Sequence, residues 1–270
     1  MRHASLRRTL GRLLFLAAAL CAAACGFVLW QTHRAEAALE ELQAQVQAQA
    51  TPAPSAAPTE EPEETPTEPD PEEKPDETPL VFPTALQEKN GDLAAWLRVP
   101  GAGIDLPVML TPNDPEHYLR RGITGSYSLS GTPFFDARCT DPAAADCLVI
   151  YGHNLRNGTM FSNLLRYDSA AYAAAHPTFI LALLGQTRTY QVFAALRLDA
   201  DRAEDLALYD RAGTLDEAQF AAFVRALEDR ALYSTGLAPQ HGQQLLLLST
   251  CARDAQMANG RMVVVGVRTA

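Results

Sequence analysis

Eight short apolar runs, none longer than ten residues, divide the chain between Ala95 and Val267. They are Ala95–Val99, Leu106–Leu110, Thr132–Phe135, Cys147–Tyr151, Thr178–Leu184, Thr189–Leu198, Gln244–Thr250 and Met262–Val267. Runs of this length, rich in aliphatic and aromatic residues and separated by turn formers, predict strands. Strands bury their apolar faces only against other elements, so a mainly-β barrel or sandwich follows. Helices interrupt the pattern in three places. In "TPNDPEHYLR", Asp114 is the expected N-cap and Pro115 the first helical residue. In "YDSAAYAAAHP", Asp168 is the expected cap and the helix stops before Pro177. The longest, "GTLDEAQFAAFVRALEDRAL", is expected to open on a capping box of Thr214 and Glu217. Phe220, Phe223, Val224 and Leu227 form its apolar face.

The region before the strands has a different character. Residues 1–12 carry Arg2, Arg7, Arg8 and Arg12, and residues 13–30, Leu13 to Trp30, carry no charge. Eighteen residues are enough to cross a bilayer as a helix. Basic residues before the run, and only Arg34 soon after it, predict an N-terminus inside and the remainder outside the cell. A cleaved signal peptide is the alternative, since Ala22-Ala23-Ala24 resembles a cleavage site, and a lipobox at Cys25 is disfavoured by Ala22. Both alternatives put the strand-rich region outside.

Residues 31–50, rich in Ala, Glu, Gln and Leu, predict a helical stalk or weak coiled coil with Leu39, Leu42 and Val46 on one face. Residues 51–80 are dominated by Pro, Glu and Thr. Such a composition buries too little to order itself, so a disordered linker is expected. Fully extended, it would reach roughly 90 Å, at about 3.1 Å per residue. The linker carries ten of the chain's 32 acidic residues against one lysine, and so most of the net charge of −10. The remaining domain, residues 81–270, is nearly balanced and has no basic stripe, which argues against a nucleic-acid partner.

Five cysteines need assignment. Cys21 and Cys25 lie in the apolar run. Cys139 and Cys147 flank a seven-residue loop, where a local disulfide and two free thiols are both open. Cys251 ends the apolar run "LLLLSTC" and has no obvious mate; it is a reactive thiol or a buried hydrophobe. Of the six histidines, His153 stands apart. It follows the run "CLVIYG" and precedes the polar loop "NLRNGT", a rigid support facing a loop opening. Arg261 opens the last run after Asn259-Gly260. If the last two strands pair as a hairpin, Cys251 and Arg261 share one end of it. A thiol nucleophile needs an acid–base partner and an oxyanion donor, and these three residue types supply them. No metal-ligand spacing is visible, and no cofactor is called for.

The Cys251 and Arg261 blocks, "LSTC" and "NGRMVVV", resemble the cysteine–arginine signature of the sortases, membrane-anchored cysteine transpeptidases of mainly Gram-positive bacteria. "IYGHN", "NGTMFSNLLRYDSAAYAAAHPTFIL", "AWLRVPGAGIDLPVM" and "GTPFFDAR" resemble class B in particular, as does a long helix before the cysteine strand. The resemblance covers about Leu86 to Val267. Leu247 departs from it, since class B members usually carry threonine there. The resemblance implies an eight-stranded sortase-type β-barrel with a few short helices and one longer helix inserted before the cysteine-bearing strand. It implies Cys251 as nucleophile, His153 as acid–base and Arg261 as oxyanion or substrate-backbone donor, with Ser249 and Thr250 lining the substrate groove. The implied partners are secreted proteins bearing a C-terminal sorting signal, of the Asn-Pro-x-Thr type, and an amine of a peptidoglycan precursor or cross-bridge. The membrane is the third partner, through the N-terminal helix. A cysteine hydrolase on the same scaffold, with water replacing the amine, is the alternative. A non-catalytic wall-binding module fits poorly with all three residues being present.

Overall fold

The computed structural model describes residues 2–50, 80–253 and 257–269, with side chains of 14–48 in the first stretch. The expected linker thus lies outside the described residues except for Leu80, which is buried.

All eight expected strands form: β1 (Leu93–Val99), β2 (Ile104–Met109), β3 (Phe134–Phe135), β4 (Cys147–Tyr151), β5 (Thr178–Leu183), β6 (Gln186–Asp199), β7 (Leu245–Cys251) and β8 (Gly260–Arg268). They close into a barrel in the order β1-β2-β3-β4-β7-β8-β6-β5. The β2–β3 and β4–β7 pairs are parallel and the others antiparallel, so the sheet is mixed.

Alternation along the strands divides the apolar residues into two shells. Leu148 and Ile150 of β4, Leu246 and Leu248 of β7, and Met262 and Val264 of β8 fill the barrel interior. Cys147 and Val149, Leu245 and Leu247, and Val263, Val265 and Val267 point to the outside. That outer face needs a cover, and the long β6–β7 connection supplies it. α5 (Glu217–Glu228) lays Phe220, Phe223, Val224 and Leu227 on it, as the sequence predicts.

The three helix starts differ from expectation. α5 is capped by Asp216, which accepts from the Gln219 amide at 2.8 Å in a capping box; Thr214 and Glu217 are not its partners. The cause is Leu215, whose amide donates to Asp146 Oδ2 at 2.8 Å and holds the chain against the barrel before a helix can begin. The short α3 (Ala170–Ala175) is capped by Ser169, because the Asp168 carboxylate is paired with Arg197. No α-helix follows Asp114-Pro115. Turns replace it, Asp114 bonds the His117 ring at 2.9 Å, and only a 3-10 turn at His117–Arg120 remains. Cys139 and Cys147 are free, fully buried thiols.

At the N-terminal side one helix, α1 (Arg2–Ala50), runs through both the apolar run and the expected stalk. An 18-residue window within Leu14–Ala48 reaches a mean hydropathy of 2.0 with none of it buried. Leu14, Phe15, Leu20, Phe27 and Trp30 are exposed, as a membrane anchor requires. The stalk half of α1 does not stand clear of the domain. Ala35 and Val46 are buried, Leu39 packs on the barrel core, and Gln43 Nε2 donates to the Asp105 carbonyl at 2.6 Å. Val46 and Leu80, on the two sides of residues 51–79, join one cluster with Phe82, Leu86, Trp96 and Tyr118.

Candidate active site

The uncovered end of the outer face is where the candidate residues meet. β4 and β7 run in parallel with Tyr151 opposite Ser249. Two residues further along each chain stand His153 and Cys251. The strand ends are tied together past the ladder. Gly152 N donates to Ser249 O at 3.1 Å, Thr250 Oγ1 donates to Gly152 O at 2.7 Å, and Asn154 Nδ2 donates to Cys251 O at 2.8 Å. On the other flank, antiparallel pairing sets Cys251 directly opposite Arg261. Strand parity puts Cys251 on the same face as Leu245 and Leu247, and Arg261 on that of Val263. Residues distant in sequence therefore converge because three neighbouring strands end together.

The three side chains line one groove of about 760 Å³. Its walls come from β3 and the segment after it (Phe134, Asp136, Arg138), from Leu119, and from Leu206, Tyr209 and Asp210 of the β6–β7 connection. Cys251 is partly exposed there, unlike the buried Cys139 and Cys147. Burial pushes the Cys139 thiol up to about 11 and the Cys147 thiol well above its ordinary value. Of these three thiols, Cys251 is thus the one available for chemistry in the groove.

His153 is held from behind. Its Nε2 lies 2.8 Å from the Leu119 carbonyl oxygen, which can only accept, so Nε2 carries a proton. In the neutral ring, Nδ1 is then the basic nitrogen. The His153 carbonyl accepts from Phe161 N at 2.9 Å, which fixes the backbone as well. Arg261 anchors NH1 on the carbonyls of Asn259 and Gly260, at 2.9 and 3.0 Å, with its guanidinium at the groove. Ser249 and Thr250 also line the groove, but both hydroxyls are engaged. Ser249 Oγ bonds the Tyr209 hydroxyl at 2.8 Å, and Thr250 ties β7 to Gly152.

One wall is a polar network that sequence reasoning missed. Asp136 accepts from Arg138 Nε and NH2, both at 2.8 Å, from the Arg138 amide at 3.0 Å, and from the Tyr151 hydroxyl at 2.8 Å. Arg138 NH1 reaches on to Asp210 at 2.7 Å, so the network staples the β6–β7 connection to the barrel. Burial alone would raise the Asp136 carboxyl; the hydrogen bonds of Arg138 and Tyr151 outweigh it and hold the carboxyl below its ordinary range. Tyr151 also packs on Tyr209, ring centroids 5.8 Å apart. The "GTPFFDAR" and "IYGHN" blocks contained these residues, but only the fold joins them to Tyr209 and Asp210.

The site therefore sets a thiol, an imidazole and a guanidinium at one end of a closed mixed barrel, which defines a cysteine transferase or hydrolase. A sortase domain model matches residues 97–269, and the chain belongs to the sortase family. It is a cysteine transpeptidase of the sortase B type. Among curated proteins it is similar to Sortase B of Listeria monocytogenes, at 26% identity over 181 residues, covering 67% of this chain and 71% of that protein. Among solved structures it is similar to Clostridium perfringens sortase B, with TM-score 0.63, 26% identity, and coverage of 69% of this chain and 99% of that one. A Staphylococcus aureus sortase B–substrate complex shares the fold, with TM-score 0.68 at 19% identity, covering 89% of this chain and 98% of the other.

Proposed function

We propose that this enzyme cleaves a C-terminal sorting motif of secreted proteins and joins the new carboxyl group to a cell-wall amine. In this reading Cys251 attacks the carbonyl of the motif's threonine. The C–N bond breaks, a thioester forms, and His153 protonates the departing amine. An amine from a peptidoglycan precursor or cross-bridge then attacks the thioester, giving up its proton to His153 and releasing the Cys251 sulfur as thiolate. Arg261 donates to the oxyanion of each tetrahedral intermediate or to the substrate backbone; loss of one such donor costs about 10²–10³ in turnover. The observation that carries the reading is the direct pairing of Cys251 with Arg261 beside the strand end that bears His153. Sorting motifs of the Asn-Pro-x-Thr type are the favoured substrates, by the class B resemblance. The catalytic domain works outside the cell, anchored by a single N-terminal span with its N-terminus inside, and residues 51–80 act as its linker.

The test is incubation with a small set of sorting-motif peptides with and without candidate amines, read by mass spectrometry. Cleavage with transfer to the amine is expected. Hydrolysis alone, unaffected by any amine, would establish the hydrolase instead. Cys251→Ala should lose all cleavage while staying folded, and full activity in it would end the cysteine mechanism. His153→Ala and Arg261→Ala should each be severely impaired, and normal turnover in either removes that residue from the chemistry.

A further inference from the structure

The stalk half of α1 touches the barrel at the loop that holds His153. Ala35 is buried against Gly122 so closely that a Cβ on Gly122 would lie 3.0 Å from the Ala35 Cβ. One residue on, Glu36 Oε1 accepts from Ser130 Oγ at 3.3 Å. Leu39, one turn further, packs on the core beside Met160, and with Ala35 and Glu36 it borders a small gap closed by Gly131 and Thr132.

Several residues around this gap, Gly131, Thr132, Ser128 and Met160 among them, lead on toward His153. Gly131 lies against the Tyr118 and Leu119 carbonyls, where a Cβ would come within 2.8 and 2.6 Å. Thr132 N donates to Tyr118 O at 3.0 Å, and Ser128 N donates to Arg120 O at 3.0 Å, bracketing Leu119. The Leu119 carbonyl is the group that holds His153 Nε2. On the other side, Met160 pairs with Asn154, whose side chain bonds the Cys251 carbonyl. Met160 has a positive φ of 57°, unusual for a side-chain-bearing residue, so its conformation depends on its packing.

We propose that the stalk half of α1 is a positioning element of the active site: docked through Ala35, Glu36 and Leu39, it fixes the 117–132 loop so that the Leu119 carbonyl holds His153 in one tautomer and orientation. The inference rests on His153 being the acid–base group. These α1 residues touch neither the thiol nor a substrate, so their effect on catalysis runs through the loop.

The test uses the full chain in detergent or lipid discs, with kcat, KM and the pH–rate profile of peptide cleavage as readouts. Leu39→Glu puts a charge into the docked face. It is expected to lower kcat about 10–100-fold, since small misplacements of a catalytic group cost that much. KM should stay near the wild-type value, and the limb of the pH–rate profile that belongs to His153 should move. Leu39→Met, which keeps apolar volume, should restore wild-type kinetics. Val192→Ala, a buried change in β6, serves as a control that lowers Tm without touching the loop. Wild-type kcat and pH profile in Leu39→Glu would overturn the proposal, and so would the same pH shift in Val192→Ala. Full turnover in His153→Ala would instead remove the assignment beneath it, and the proposal with it.

Discussion

Asp136→Asn isolates the polar wall of the groove. The substitution keeps the size of the side chain but removes its charge and turns one acceptor into a donor. In the wild-type protein that carboxylate takes two guanidinium bonds and one phenol bond at 2.8 Å, and an amide bond at 3.0 Å. A hydrogen bond to a charged group contributes about 1.5–3 kcal/mol. The Arg138 side chain is 44% exposed, so water replaces part of what it loses, and solvent screening discounts the ion pair. The Tyr151 hydroxyl has less recourse, because its residue is partly buried, with its ring packed between Phe134 and Tyr209. A loss of about 2–3 kcal/mol follows, which corresponds to roughly 4–12 °C in Tm for a domain of this size.

The pH dependence gives the prediction its sign. A carboxyl held below its unfolded value stabilises the fold fully above that value, about 3.9, and stops doing so as pH falls through the lower folded value. The gap between wild type and Asp136→Asn should therefore be constant from pH 7 to about pH 5 and close in more acidic buffer. Urea denaturation across that range, with Arg138→Met and the double variant completing a cycle, measures it. A penalty below about 1 kcal/mol, a gap that persists in acid, or additivity of the two single changes would refute this account of the network.

Other outcomes follow from the same structure. Brief alkylation of the folded protein, read by peptide mapping, should label Cys251 and leave Cys139 and Cys147 unmodified, since both are fully buried and pushed up by burial. Burial raises the phenols of Tyr118, Tyr190 and Tyr233 to about 12; these groups favour the fold below pH 10, and that stability should drain away between pH 10 and 12, visible as coincident loss of structure and tyrosinate absorbance. Tyr209→Phe leaves the buried Ser249 hydroxyl without its partner and should cost about 1–2 kcal/mol, with a larger fractional loss in peptide affinity than in kcat. Gly152→Ala sets a Cβ within 2.6–2.8 Å of the Phe161 ring, next to His153, and should depress kcat far more than it depresses Tm.

Strand content was legible in the sequence because short apolar runs between turn residues have few alternatives, and all eight formed within a few residues of their expected ends. Helix starts were less so. Thr214–Glu217 and Asp216–Gln219 both fit a capping box, and the choice was made by Asp146, sixty-nine residues from its Leu215 partner. Asp168 was an equally good cap in isolation, but Arg197 claimed its carboxylate. The same holds at the site. Cys251, His153 and Arg261 stood out as unusual residue types at strand ends, a local signal. Tyr209, Asp210 and the Leu119 carbonyl carry no local mark, and their roles come only from the barrel that brings three segments together.

The docked stalk has one more consequence, for geography. From Trp30 to Ala35 is five residues, about 7.5 Å of helix. Ala35 already rests on the barrel, so a bilayer placed around the apolar run would bring its headgroups against the catalytic domain, like a boat on a short mooring. Val46 and Leu80, on the two sides of residues 51–79, share one cluster, so the length of that acidic stretch would not set how far the enzyme stands from such a bilayer. Lengthening or shortening it should leave the groove at the same height. Under the proposed function, a client would then meet the groove as it emerges from the membrane, not deeper in the wall.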